Sequence, residues 1–103
     1  MICAHTVRRL RPGTFDQFKD AFMPDPDSPP PGWVRFDMLR SLADENEVVT
    51  FGFFDGTLEE LERSQDASDY EARRREIEPF VEAVVVNGIY DIVVDLNIAK
   101  APA

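Results

Sequence analysis

The chain of 103 residues has the length of one domain, and its 11 Lys and Arg against 20 Asp and Glu give a formal net charge of -9. An acidic surface repels phosphate groups, so nucleic acids and anionic membranes are excluded as main partners. The single cysteine forms no internal disulfide, and one histidine with one cysteine makes no recognisable metal site. We therefore expect one cytoplasmic domain, residues 1–103, that uses no metal or other cofactor.

The first third of the sequence predicts a strand, a helix and a loop. Ile2–Leu10 is an apolar run with the character of a strand. Thr14 and Gln17 have the spacing of a capping box, and phenylalanines follow at helical spacing until Pro24 ends the pattern. Residues 23–32 contain five prolines, which predicts an extended loop that serves as a connector.

The middle of the sequence predicts a hairpin and then a broken helix. Trp33–Leu42 and Val48–Phe54 are apolar runs separated by a short acidic turn, which is typical of adjacent antiparallel strands. A second capping box begins at Thr57. The helical region that follows is expected to break near residues 65–67, and Pro79 should kink it or end it.

The last strand completes the predicted fold. Val84–Leu96 is dense in β-branched residues, as in a strand that is buried on both faces, and residues 97–103 are expected to fray. The order strand, helix, strand, strand, helix, strand predicts a ferredoxin-like α+β domain. Such a domain has a four-stranded antiparallel sheet with helices on one face.

The face of this sheet that the helices leave open is also expected to be apolar. In both the first and the last strand, each of the two alternating sets of residues contains Ile, Val or Cys. A bare apolar sheet face predicts an interface, and the simplest partner is a second copy of the chain related by a two-fold axis.

The order of elements resembles the dimeric α/β-barrel superfamily, and within it the antibiotic biosynthesis monooxygenase-like domains. The resemblance extends over about residues 2–96 and is carried by three stretches: VVTFGFFD at 48–55, ARRREIEPFV at 72–81 and YDIV at 90–93. It implies a homodimer with a pocket in each subunit between helices and sheet. It also implies oxidation of aromatic, polyketide-like substrates without a cofactor. Heme-degrading relatives use a helix histidine, which this chain lacks, because its only histidine is His5 in the first strand.

Two residues are candidates for catalysis. His5 is the one side chain that titrates near neutral pH without perturbation, and it would act as general base if it faced the pocket. Otherwise it is a hydrogen-bonded histidine of the core or interface. Arg35 would steady a developing enolate or phenolate. Alternatively, Arg35 and Asp37 form an ion pair, because they are two residues apart on one strand.

Three further side chains would shape a substrate pocket together with Asp37, namely Trp33, Phe36 and Tyr70. Each of them is equally suited to packing in a core or a dimer interface. The basic cluster Arg8, Arg9 and Arg11 is expected to be solvated at the end of the first strand.

Two functional hypotheses follow from these residues and the resemblance. The first is a cofactor-independent monooxygenase for a small aromatic or polyketide-like molecule. The second is a non-catalytic homodimer that binds a small ligand or has a structural role, and it is favoured by the absence of a clustered His, Cys or Ser motif. Isomerase or decarboxylase chemistry on a similar small acid is a third alternative, because fold alone does not determine function.

Overall fold

The computed structural model describes residues 1–27, 30–67, 70–96 and 98. The elements in chain order are β1 (Ile2–Leu10), α1 (Phe15–Phe22), β2 (Trp33–Arg40), β3 (Glu47–Phe54), α2 (Leu58–Ala67), α3 (Tyr70–Ile77), a 3₁₀ turn (Glu78–Phe80) and β4 (Val81–Asp91). The predicted order is confirmed, with the second helical region in two pieces. None of the helices in the described residues is long and apolar enough to cross a membrane. Apart from Ile98, the predicted frayed tail lies outside the described residues, as do Ser28 and Pro29 of the predicted loop.

The four strands form one sheet in the order β2-β3-β1-β4, and every neighbouring pair is antiparallel. This is the ferredoxin-like topology, so the predicted fold class is confirmed. The last strand differs from the prediction in its bounds and its burial. It is an edge strand that begins at Val81, ends at Asp91 and pairs only with β1, and it is not buried on both faces, since Val85 and Tyr90 are 62% and 50% exposed.

The helices cover one face of the sheet, which we call the inner face; the opposite face is the outer face. Two apolar clusters join the helices to the inner face. The larger cluster contains Leu10, Phe18, Val48 and Ile77, and the smaller one contains Ile2, Phe54 and Leu61. Even-numbered residues of β1 and β3 therefore point toward the helices, as the period of two in a strand requires.

The two helix starts that carry capping sequences use them differently. At α2, the Glu60 backbone N–H donates to Thr57 Oγ1 over 3.2 Å and the Thr57 N–H donates to Glu60 Oε1 over 3.3 Å, which is the predicted capping box. At α1, the Thr14 side chain makes no cap bond. Its hydroxyl lies 2.7 Å from the Arg11 carbonyl oxygen and 3.3 Å from that of Phe80, and so links α1 to the 3₁₀ turn.

Irregularities in the register of two strand pairs change which face a side chain occupies. Trp33 pairs with Phe54 and Arg35 with Phe53, so β2 advances two residues while β3 advances one. Val34 is the extra residue of this bulge. Trp33 and Arg35 consequently lie on opposite faces although they are two residues apart. The pairing of β1 with β4 has a similar shift opposite Val7 and Arg8.

Candidate functional site

A cavity of about 260 Å³ lies between the inner face and the helices. Its size is near the lower end of the ~300–1,000 Å³ typical of sites for small molecules. The lining residues come from all four strands and three helices: Ala4, Thr6, Arg8, Ala21, Phe22, Trp33, Phe36, Thr50, Gly52, Gln65, Arg73, Arg74, Ile77, Asn87 and Ile89. Asn87 and Ile89 are exposed, so the cavity opens toward the β4 edge of the sheet.

The sheet floor of the cavity changes in polarity along β1. Ala4 pairs with Gly52 and Ile89, which makes the first row across the strands apolar. The second row consists of hydroxyl and amide groups, because Thr6 pairs with Thr50 and Asn87. The next lining residue along β1 is Arg8, which brings a guanidinium group to the cavity. Four residues of a strand span about 13 Å, so the cavity has an apolar end and a cationic end.

Arg8 is half-buried on the inner face, where aromatic rings and a hydroxyl hold its side chain. Its Nη1 donates to Thr50 Oγ1 over 3.0 Å. Its Cζ lies 5.6 Å from the ring centroid of Phe18 and 5.5 Å from that of Phe22, within the range of cation–π attraction. Because Arg8 donates to the Thr50 oxygen, the hydroxyl hydrogen of Thr50 is left to donate to an acceptor in the cavity.

Arg73 on α3 brings a second guanidinium group to the cationic end, from the helix side of the cavity. Its Nη2 donates to the Phe22 carbonyl oxygen over 2.7 Å, at the C-terminus of α1, where a cation is favoured by the helix dipole. Arg8 and Arg73 thus both contact Phe22, one at its ring and the other at its carbonyl. The two cations therefore approach the same end of the cavity from the sheet and from α3.

The apolar end is walled by stacked aromatic rings. The Trp33 indole lies 5.1 Å from the Phe36 ring and 5.4 Å from the Phe54 ring, measured between centroids. It rests directly on Gly52, because a Cβ placed there would lie 2.6 Å from Trp33 Cζ3. A flat aromatic wall of this kind suits a planar ligand.

The structure brings together some of the predicted site residues and separates others. Trp33 and Phe36 line the cavity. His5 and Arg35 both lie on the outer face, and neither lines the cavity. For His5 the reason is strand alternation, because its neighbours Ala4 and Thr6 take the inner face.

Arg35 and Asp37 reach the outer face because of the bulge at Val34. There Arg35 Nε lies 3.0 Å from Asp37 Oδ2, so the two residues form the ion pair that was the alternative interpretation. Asp37 is consequently not a lining residue of the cavity. Tyr70 begins α3, but its side chain lies outside the part of the chain that the structure describes.

The outer face carries its own aromatic group. The His5 imidazole stacks on the Phe51 ring with centroids 4.7 Å apart and an angle of 7° between the planes, and Tyr90 lies 5.9 Å away. Phe53 continues this group at 6.4 Å from Phe51.

Cys3 is buried, as expected. Burial raises the pKa of its thiol, so the thiol stays protonated at neutral pH and is unsuited to act as a nucleophile.

Sequence reasoning missed the polar half of the cavity. Arg8 was predicted to be solvated together with Arg9 and Arg11, and it instead lies on the inner face. The sequence did hold a signal for Arg8, because alternate residues of a strand share a face. Arg8 belongs to the same alternating set as Ile2 and Leu10, which are both buried. Arg73 and Asn87 gave no such signal, because a local sequence does not reveal which helix face or strand edge meets a cavity.

The described residues contain no cluster of three or more His, Cys, Asp or Glu side chains that could hold a metal ion. The chain matches no protein-family model and no curated protein.

The chain has the fold of antibiotic biosynthesis monooxygenase-like proteins. One such protein from Chloroflexus aurantiacus aligns with a TM-score of 0.76 and 15% identity, over 95% of this chain and 98% of that one. Another, from Caulobacter crescentus, has a TM-score of 0.75 and 16% identity over 90% of both chains. SnoaB from Streptomyces nogalater, a cofactor-independent oxygenase, has a TM-score of 0.64 and 14% identity over 92% of this chain and 95% of its own.

Proposed function

We propose that the protein binds a small aromatic molecule in the helix-side cavity and oxygenates it with O₂ without a cofactor. The observation that carries the proposal is the row of Thr6, Thr50 and Asn87, which lies in the cavity next to the end that Trp33 and Phe36 line. Support for the reaction type comes from the fold shared with SnoaB, which is a cofactor-independent oxygenase. Trp33 and Phe36 would hold the ring of the substrate.

The three polar side chains would stabilise an oxyanion on the substrate. A phenol or enol that loses its proton becomes electron-rich enough to react with O₂. Hydroxyl and amide N–H donors that face the resulting oxyanion lower the energy of that charged state. When a methylene of the substrate becomes a carbonyl, it gives up four electrons. One oxygen atom of O₂ enters the product and the other leaves as water, so that the reaction balances without an external reductant.

The proton has no obvious acceptor among the described lining residues, which include no carboxylate, imidazole, thiol or amine. The cavity opens at the β4 edge, so water would take the proton. Proton loss would then follow the pKa of the substrate hydroxyl. This differs from the predicted role of His5 as base, because His5 lies on the outer face.

The test is oxygen uptake with hydroxyaryl ketones that carry a benzylic methylene. We expect one O₂ consumed per carbonyl formed, and a rate lowered about 100-fold by Thr6→Val or Thr50→Val, as for loss of an oxyanion donor. His5→Gln is the control, because it changes the other face of the same strand and should leave the rate unchanged. Equal rates for wild type and both threonine variants would contradict the proposal, as would a loss of activity confined to His5→Gln.

Binding without chemistry is the second candidate, and it is favoured by the lack of a proton acceptor in the described lining. It predicts that aromatic ligands bind in calorimetry and that none of them consumes oxygen. The two candidates differ only in turnover, so the same ligands serve in both assays.

We also propose that two copies of the chain pair through the outer face. His5, Phe51 and Phe53 form its centre, while Leu39 on β2 and Tyr90 on β4 are 47% and 50% exposed in the single chain. Aromatic and aliphatic exposure of this kind on one sheet face is typical of an interface. A face-to-face arrangement would cover it in both copies and leave each cavity on the far side of its own sheet.

Val86 on β4 belongs to the same face, because it pairs with Val7 of β1. Light scattering should find twice the 11.7 kDa chain mass for the wild type and the mass of a single chain for Leu39→Lys with Val86→Lys. The two lysines would place like charges in the interface, where an unpaired buried charge is costly. Leu42→Lys is the matched control, because Leu42 is fully exposed in the loop after β2 and the variant should remain dimeric. A wild-type protein that is monomeric at all concentrations would refute the pairing.

A further inference from the structure

We propose that the natural ligand of the cavity is an aromatic acid, with its ring at the Trp33 end and its carboxylate at the Arg8 and Arg73 end. This inference rests on the binding part of the proposed function and not on oxygenation. It follows from the order of groups along β1, where Ala4, Thr6 and Arg8 present an apolar, a hydroxyl and a cationic surface in turn.

The charge of the cavity is opposite to the charge of the whole chain. Arg8, Arg73 and Arg74 line it, and no described lining residue is acidic, although the chain carries 20 Asp and Glu. Arg74 lies 3.9 Å from Glu71 on a solvent-exposed part of α3. Three cations around one cavity in an acidic protein indicate selection for an anion.

The cationic end contains two guanidinium groups, and other parts of the protein anchor each of them. Arg8 is held by Thr50 and by the rings of Phe18 and Phe22, and Arg73 is held by the Phe22 carbonyl. Both guanidinium groups are therefore oriented before a ligand binds, which reduces the entropy lost on binding. Guanidinium groups bind carboxylates through parallel N–H donors, and charge-assisted bonds of this kind are stronger than neutral ones.

The spacing of the groups along β1 suits a ligand of one or two rings plus the acid group. The distance of about 13 Å along β1 includes both the aromatic wall and the arginines. The volume of about 260 Å³ and the indole seated on Gly52 leave room for a flat ring at that end. Between the two ends, Thr6 and Asn87 would contact polar groups on the ring.

The inference is tested by calorimetry with two probes of nearly equal shape, 2-naphthoate and 2-naphthamide, at pH 7.5. We expect the acid to bind the wild-type protein about 10- to 100-fold more tightly than the amide, as for hydrogen bonds to a charged group. Arg8→Gln should remove most of this preference, and Arg8→Lys should retain part of it. Trp33→Leu should weaken both probes alike and leave the ratio of their affinities unchanged.

Arg9→Gln is the matched control. Arg9 Nη2 lies 2.9 Å from Asp44 Oδ2, and Arg9 does not line the cavity, so this variant should keep the preference for the acid. Arg73→Gln gives a second test from the helix side should Arg8→Gln fold poorly. Equal affinity for acid and amide, binding of neither probe, or equal effects of Arg8→Gln and Arg9→Gln would overturn the inference. Neither probe carries an oxidisable methylene, so this test measures binding and not oxygenation. If the acid is preferred while the hydroxyaryl ketones consume no oxygen, the proposed oxygenase activity is rejected and the inference about the ligand stands.

Discussion

Phe18→Ala is expected to lower the free energy of unfolding by about 3–5 kcal/mol, as for removal of a buried aromatic side chain. Phe18 has no exposed surface and packs in the larger cluster with Leu10, Val48 and Ile77. It also stacks on Phe22 at 5.6 Å. A domain of this size has a total stability of roughly 5–15 kcal/mol, so a large part of it depends on this one ring.

Denaturant unfolding measures this effect. Phe18→Leu keeps most of the buried volume and should cost clearly less, while Leu42→Ala removes a fully exposed side chain and should change stability by less than about 0.5 kcal/mol. Arg8 lies over the face of the Phe18 ring, so Phe18→Ala should also weaken binding of an aromatic acid under conditions where it remains folded. A loss below about 1 kcal/mol would show that the cluster is not the main core.

Gly52→Ala is expected to damage both stability and binding, although it adds only one methyl group. The new Cβ would lie 2.6 Å from Trp33 Cζ3 and 3.2 Å from Phe36 Cε1, so the indole must move. Overpacking of this kind costs about 1–3 kcal/mol. Because Phe36 and Phe54 flank the indole, it would shift into the cavity, and ligand affinity should fall about tenfold or more.

A double-mutant cycle isolates the contact between Gly52 and Trp33. Trp33→Leu removes the indole, including the atoms that a Cβ at position 52 would meet. Gly52→Ala in that background should therefore cost less than about 1 kcal/mol. Unfolding in denaturant for the four proteins gives the coupling energy. If Gly52→Ala costs the same with and without Trp33, the indole does not rest on Gly52 in solution.

Alternation along β1 separates the two surfaces that matter for function. Thr6 and Arg8 face the cavity, whereas His5 and Val7 face the opposite side. A substitution on this strand therefore tests either ligand binding or pairing of two copies. For this reason His5, which the sequence offered either as a general base or as a histidine of the core or interface, serves as a control for the cavity.

The order and type of the secondary-structure elements were predictable because they depend on local patterns. Helical spacing of Phe15, Phe18 and Phe22, the capping box at Thr57 and the hairpin around the acidic turn each require only neighbouring residues. The element order then leaves few topologies, and the ferredoxin-like sheet is among the simplest of them. The aromatic wall could be predicted in part, since Trp33 and Phe36 are large apolar residues at the start of a strand.

The sequence by itself thus determined the fold class and the order of the secondary-structure elements. Tertiary structure decided which side chains meet. One extra residue, Val34, moved Trp33 to the cavity and Arg35 to the outer face. Arg8 gained its place from rings on α1 and a hydroxyl on β3, partners that are 10 to 42 residues away in the chain. Bulges and long-range contacts depend on the packing of the whole domain, so they cannot be predicted from local periodicity.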